Sequence, residues 1–391
     1  MSRRGVIRGN SLRRSLLRVG RAGVALVSAM VLILTGYGWT LSRQFNDSLT
    51  TSAVLDQPRR TDPAQSQSGA PLGPMNVLVV GLDSRTDNQG NPLPQQVLAA
   101  LHAGGNEGEL NADTLILVHV PADPTQPTVA VSIPRDSYLS VPGFGTHKIN
   151  SAYQRGMHDA ESALAAQGVS GAQLRQLARQ AGARELVQTV EQLTGVTLDH
   201  YVEVNLAGFY EITKAVGGVP VCLKHPVHDS YSGTDLPAGP QTVSGAAALA
   251  FVRQRYGLPH GDLDRILRQQ AFLSGLAHRM LSGDVLTNPM AVAALEEAIA
   301  RYVVIDPGWD LTGLIAQARS MSERSIMFRT IPTERTDLPT PDGEAVQVDP
   351  EQVQQFITDL TGAGDRPANL PSAAPLIRAV VPISTSIPCV S

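Results

Sequence analysis

Lysine is nearly missing. Of 31 basic residues, only Lys148, Lys214 and Lys224 are lysines, so positive charge is almost wholly guanidinium. Aromatic residues are only 4% of the chain, too few to suggest a stacking platform for single-stranded nucleic acid. The two cysteines, Cys222 and Cys389, form no C-x-x-C, which excludes a dithiol redox motif and a zinc ribbon. Nine histidines contain no H-E-x-x-H, and the neighbours His225 and His228 lack further ligands, so a zinc centre is set aside. There is no G-x-S-x-G elbow and no P-loop, which removes two common hydrolase designs.

What is present begins with charge placed unevenly. The first 21 residues hold seven Arg and no acid, leaving 24 basic against 35 acidic residues in the remainder. A body that acidic is no nucleic-acid binder by charge. Residues 22–41 then run for twenty residues without a charge, about the length a helix needs to span a bilayer. Tyr37, Trp39 and Arg43 follow where a cleaved signal would carry small residues. The reading is a basic cytoplasmic tail at 1–21 and a single transmembrane anchor at 22–42, with a cleaved signal as the alternative. The Arg cluster keeps the N-terminus inside, so the rest of the chain lies outside the cytoplasmic membrane. In that oxidising setting two leftover thiols tend to pair. A Cys222–Cys389 disulfide is expected, tying an extended tail at 364–391 to the main domain; two unpaired core cysteines are the alternative.

Hydrophobic residues make up 42% of the chain, enough for a sizeable core. Residues 43–74 are polar and Pro-containing and read as a linker. The domain is expected over 75–363. Asn76–Val80, Thr114–Val120 and Thr128–Ile133 are short apolar runs of the kind buried on both faces of a sheet. Tyr201–Val204, Gly218–Leu223 and Ile326–Ile331 are further strand candidates. Helices are expected at 159–194, Leu206–Val216, Ser244–Val252 and Asp262–Leu281, the last with a clear apolar stripe. A final helix starts at Asp349-Pro350, with Asp as N-cap and Pro at the first helical position, and ends near Gly362. Strands interleaved with helices give an α/β class: a mixed central sheet flanked by helices.

Three clusters carry candidate chemistry. Gly81-Leu82-Asp83-Ser84-Arg85 follows a buried strand, where open α/β sheets bind ligands. Asn111-Ala112-Asp113-Thr114 opens the second strand and Ser132-Ile133-Pro134-Arg135-Asp136-Ser137 closes the third. Taken alone, each also reads as a capped polar turn. Arg253, Arg255, Arg265 and Arg268 fall within sixteen residues around Asp262, and Arg265 and Arg268 share a helix face. A surface helix laced with ion pairs would show the same spacing. Two carboxylates and several guanidiniums suggest a hard cation with phosphate: Mg2+ takes one or two carboxylates and substrate oxygens, and Arg forks grip phosphate bidentately. A diphosphate suits such a set best.

These motifs, with Lys148-Ile149-Asn150-Ser151-Ala152-Tyr153, Gly217-Gly218-Val219 and Gly261–Gln270, occur in the order seen in the LytR-CpsA-Psr family, which the chain resembles over about residues 75–285. The Arg-rich composition and paired cysteines look like actinobacterial, especially mycobacterial, members. The resemblance implies a phosphotransferase that moves a glycopolymer from a polyprenyl-diphosphate carrier onto peptidoglycan through a phosphodiester, with arabinogalactan the expected polymer. By motif, Asp83 and Asp113 would ligate Mg2+, or Mn2+ in its place. Arg135 and Arg255 would act at the reacting phosphates, and Asp262 would hold the Arg cluster or accept the hydroxyl proton. Arg85, Arg253, Arg265, Arg268 and Gln269 would bind substrate. A long apolar tunnel between sheet and helices would house the lipid. Some members have a basic residue at Asn111, so one phosphate or metal-shell contact is missing here. A polyprenyl-diphosphate pyrophosphatase and a non-catalytic carrier-binding or regulatory membrane protein are the competing readings.

Overall fold

Strand β2, Met75–Leu82, is the middle strand of the main sheet. Its alternate residues Leu78, Val80 and Leu82 point into one core and Met75 and Val77 into another, as the twofold repeat of a strand requires. The structure is a computed structural model that describes residues 49–55, 74–101, 110–123, 125–254, 257–258, 261–281, 285, 287–307, 326–361 and 388–391. The chain divides into Met1–Ser48, which lies outside the described residues with the expected anchor at 22–42, and Leu49–Ser391, to which every element below belongs. Among the described residues no helix is long and apolar enough to cross a membrane.

The central sheet has seven strands. In spatial order they are β1 (Thr50–Thr51), β12 (Val303–Ile305), β7 (His200–Asn205), β2, β3 (Ala112–Val120), β4 (Thr128–Ile133) and β13 (Ile326–Thr330). β2 runs antiparallel to β3 and parallel to β7, and β4 is antiparallel to β3. The sheet is therefore mixed, as expected. One face is covered by α2 (Ala152–Ala166), α3 (Gly171–Thr194) and α8 (Pro350–Thr361). Ala178, Leu186, Val187 and Val190 of α3 and Val353 and Ile357 of α8 meet Leu78, Leu115 and Val131 there. On the other face, Ile116, Ala130 and Phe328 of the sheet pack with Leu273 of α6 (Asp262–Leu281). A separate core joins α6, α4 (Leu206–Ala215), α5 (Gly245–Arg253) and α7 (Pro289–Tyr302) to β8 (Val219–Leu223).

The sequence predicts one helix over 159–194, but there are two. Gly168 takes a left-handed φ of 86° between them, a conformation glycine reaches without a Cβ penalty. Helices α2 and α3 then lie so close that a Cβ on Gly182 would sit 2.5 Å from the Tyr153 carbonyl oxygen. The N-terminal half of α2 is missed by the prediction, as are the hairpins β5–β6 (Ser137–Val141, Gly145–Lys148) and β14–β15 (Arg335–Thr340, Gly343–Gln347). Of the segment 43–74, read as linker, residues 49–55 join the fold: Thr50 and Thr51 pair in parallel with Val304 and Ile305, and Val54 is 1% exposed. Two strand residues are too few to produce a periodic pattern. At the other end, Cys389–Val390 forms β16 alongside β8, and Cys389 is bonded to Cys222 as expected. The intervening 362–387 lie outside the described residues.

Candidate functional site

Antiparallel pairing brings the C-terminal ends of β2 and β4 beside the start of β3, and β7, parallel to β2, ends there too. Asp83, Asp113, Arg135 and Asn205 therefore share one edge of the sheet. A β-bulge aims the second carboxylate: Gly81 pairs with Thr114 and Leu82 with Ala112, so Asp113 is the extra residue between them. Bulges of this kind re-aim side chains beside functional sites. Pro134 follows β4 and offers no N–H to extend the ladder, and Arg135 comes directly after it.

The charges interlock. Arg135 Nη1 donates to Asp113 Oδ1 at 2.5 Å. Arg265, only 4% exposed, stands 3.5 Å from Asp113 Oδ2 through Nη2 and 3.2 Å from Asp262 Oδ1 through Nη1. Its Nη2 also donates to the Asp113 carbonyl and its Nε to the Val252 carbonyl. Arg135 Nε lies 3.7 Å from both Asp136 and Asp262. Those distances exceed hydrogen-bond reach, and Nε is a buried donor with no hydrogen-bond partner among the described residues. Lys148 Nζ reaches Asp136 Oδ1 at 3.2 Å, extending the cluster to β6.

The two central aspartates are driven opposite ways. Burial pushes Asp83 up and the Asp113 charge adds to it, against the weaker pull of Arg253, Arg85 and Arg135. Burial also pushes Asp113 upward, but the adjacent guanidiniums of Arg135 and Arg265 win and hold it below the usual carboxylate range. Asp83 Oδ1 is buried without a hydrogen-bond partner among the described residues. An orphaned carboxylate oxygen facing an acid and a set of arginines is what a divalent cation would satisfy. Asp113 fits that role less well, since both its oxygens already meet guanidiniums. Among the described residues no three His, Cys, Asp or Glu gather as a metal cage. Mg2+ does not need one, because substrate phosphates and water complete its shell.

Asp83, Asp113, Arg135, Asp262 and Arg265 are thus brought together, with Arg85 and Arg253 close enough to act on Asp83. Gln269 Nε2 donates to the same Val252 carbonyl as Arg265. Arg268 is placed differently from the expectation. Its guanidinium bonds Gln254 and the Ser391 carbonyl and lies over the Phe251 ring. Burial lowers its pKa to about 10. Arg255 lies outside the described residues. Sequence reasoning assigned no role to Asp136, Asn205 or Arg179. Asp136 sits inside the quoted motif, whereas Arg179 is hidden mid-helix and meets its partners only through the fold.

One cavity lined by described residues differs in size and polarity from the expected long apolar tunnel. Between α3 and the edge strands lies a cavity of about 360 Å³, lined by Val54, Tyr153, Ala183 and Tyr201 but also by Arg179 and Glu203. That volume is near the lower end for small-ligand pockets, and the wall is part polar. Leu78, Leu115, Leu117 and Leu186 are fully buried in the core between sheet and helices.

With this geometry in place, residues 42–361 match the LytR_cpsA_psr family profile. The chain belongs to the LytR_cpsA_psr family. It is 40% identical over 349 residues to the cell wall biosynthesis protein LcpA of Corynebacterium glutamicum, covering 89% of this chain and 66% of that one. Identity is 30% over 217 residues to the polyisoprenyl-teichoic acid–peptidoglycan teichoic acid transferase TagU of Enterococcus faecalis, covering 55% of this chain and 56% of TagU. The chain thus spans less than two thirds of these relatives' length. The solved structure of TagT bound to LI-WTA shares the fold, with a TM-score of 0.52 at 18% identity over 80% of this chain and 98% of that one.

Proposed function

We propose that the chain transfers a glycopolymer from a polyprenyl-diphosphate carrier to a hydroxyl of peptidoglycan. The acceptor oxygen attacks the phosphorus that bears the glycan. The bond from that phosphorus to the bridging oxygen breaks, and polyprenyl phosphate leaves. A phosphodiester joins glycan to acceptor, and the hydroxyl proton passes to a carboxylate of the site. Arg135 and Arg265, locked against Asp113 and Asp262, present preorganised positive charge to the leaving phosphate, where such electrostatics lower a barrier most. Asp262 braces Arg265 and so acts as a positioning group. Asp83 would hold Mg2+, which supplies charge neutralisation on the diphosphate oxygens. Arabinogalactan is the proposed polymer, as the family resemblance of the sequence implies, and the corynebacterial relative is a cell wall biosynthesis protein. The membrane anchor at 22–42 and the exterior placement of the domain belong to the same proposal, as does an apolar path for the carrier's lipid.

One observation carries the reading: two aspartates and two arginines, one buried and one half-buried, converge from four separate segments at one sheet edge, with an orphaned Asp83 oxygen and an orphaned Arg135 Nε among them. The test uses the full chain in detergent with Mg2+, a polyprenyl-diphosphate-linked glycan and peptidoglycan. Asp83→Ala and Arg135→Ala should each lower transfer by at least about a hundredfold, the scale seen when a preorganised charge is removed. Free glycan phosphate in place of a peptidoglycan adduct would mark a pyrophosphatase instead. Full turnover in both variants would refute the site.

A further inference from the structure

Behind the Asp83 loop lies a polar cluster that the proposed reaction does not use. Arg179 on α3 reaches across to it. Nη1 donates to Thr86 Oγ1 and to the Asp87 carbonyl, each at 3.0 Å, and Nη2 donates to Ser84 Oγ at 3.3 Å. The same Nη2 lies 3.9 Å from Glu203 Oε1. Glu203 is itself 4% exposed, and its Oε2 accepts the Tyr201 hydroxyl at 2.9 Å. From the neighbouring end of β7, Asn205 Nδ2 donates to the Thr86 carbonyl at 3.0 Å while its Oδ1 caps α4. Ser84 is fully buried.

A buried ion pair is a poor device for stability alone, since apolar residues of similar volume hold a core as well or better. What guanidinium adds is direction: a planar fork that fixes several acceptors at once. Here three of its acceptors lie within the four residues that follow Asp83. The geometry points to Arg179 as a positioning residue for phosphoryl transfer: gripping Ser84–Asp87 from behind, it sets where the Asp83 carboxylate and the Arg85 guanidinium stand. Glu203, held by Tyr201, keeps the guanidinium aimed. The inference rests on the transferase reading of Asp83. It adds a residue that touches neither phosphate nor metal and comes from the helix layer instead of the strand ends.

The test compares Arg179→Met, Arg179→Lys and Arg179→Met with Glu203→Gln in the full chain in detergent. The paired variant leaves no stranded carboxylate, so it remains informative if the single change does not fold. Amide exchange in 83–93 reads the grip directly, with β4 and α8 as internal controls. Transfer from a polyprenyl-diphosphate-linked glycan to peptidoglycan, followed against Mg2+, reads the consequence. Exchange should quicken in the loop only, kcat should fall about 10- to 100-fold with a smaller change in KM, as for a lost supporting shell, and half-maximal Mg2+ should rise. Lys should restore part of kcat. Unchanged loop exchange and unchanged kcat in the paired variant would overturn the inference. So would a fall in kcat matched by faster exchange throughout the domain. If the unaltered chain shows no turnover that Asp83→Ala removes, the transferase reading fails, and loop exchange still judges the grip.

Discussion

Asp83 and Asp113 are the same side chain in opposite circumstances, and the contrast predicts opposite mutational signs. Asp113 is held ionised by Arg135 and Arg265, so its folded-state pKa lies below the unfolded value. Such a group stabilises fully above about pH 4 and loses its contribution as pH falls through the folded value. Asp83 is raised by burial and by Asp113. The folded state then binds its proton more tightly than the unfolded state, so stability declines as pH rises from the unfolded value through the raised one. In EDTA at neutral pH, Asp113→Asn should cost about 1–3 kcal/mol, because the Arg135 and Arg265 guanidiniums lose a shared carboxylate. Asp83→Asn should be neutral or stabilising, since burial and Asp113 disfavour this carboxylate more than its arginines support it; functional sites commonly carry such a burden. Added Mg2+ should raise the melting temperature of the unaltered chain and leave Asp83→Asn unmoved. Equal destabilisation by both variants would contradict the assigned environments.

At the scale of elements, chain order and burial pattern reveal some pieces well and others hardly at all. Helix α6 runs over Asp262–Leu281 as its apolar stripe predicts. The last helix begins behind Asp349, whose Oδ1 accepts the Glu351 N–H at 2.9 Å. Long periodic segments and caps are local signals. The hairpins β5–β6 and β14–β15 are not: they are short and pair with each other across the chain, Val346 beside Ser137. Arg179 fails to stand out for the same reason, since Thr86 and Glu203 become its neighbours only when α3 lies on the sheet. The tail is the opposite case, because two cysteines in the chain leave one intramolecular pairing. Its effect can be predicted. The bond spans 167 residues, and loop-closure entropy over that length is worth up to about 5 kcal/mol, with measured disulfides commonly at 2–4. Cys222→Ser, Cys389→Ser and the double variant should therefore lower stability by one and the same amount, about 2–5 kcal/mol. Reductant should do likewise to the unaltered chain and nothing further to the variants. Melting under matched redox conditions checks this, and additive losses in the double variant would show that the cysteines act separately.

The whole molecule couples a basic N-terminus to chemistry near its far end. Seven Arg precede the apolar run at 22–41, and the body that follows is acidic. Positive charge flanking a first span sets its orientation, and the compartment in turn sets whether thiols can pair. On the proposed topology the Cys222–Cys389 bond would report the compartment, although both cysteines lie far from the span in sequence. Replacing Arg13, Arg14, Arg18 and Arg21 by Gln removes most of the flanking charge. A fraction of chains should then keep the domain in the cytoplasm, where glutathione and thioredoxin keep Cys222 and Cys389 as thiols. Maleimide labelling under denaturing, non-reducing conditions should detect thiols in that fraction and none in unaltered chains. The labelled fraction should also resist protease added outside spheroplasts. If the Gln chain forms the disulfide as completely as the original and is digested from outside equally, then the arginines do not orient the chain. The proposed anchor would then need another determinant.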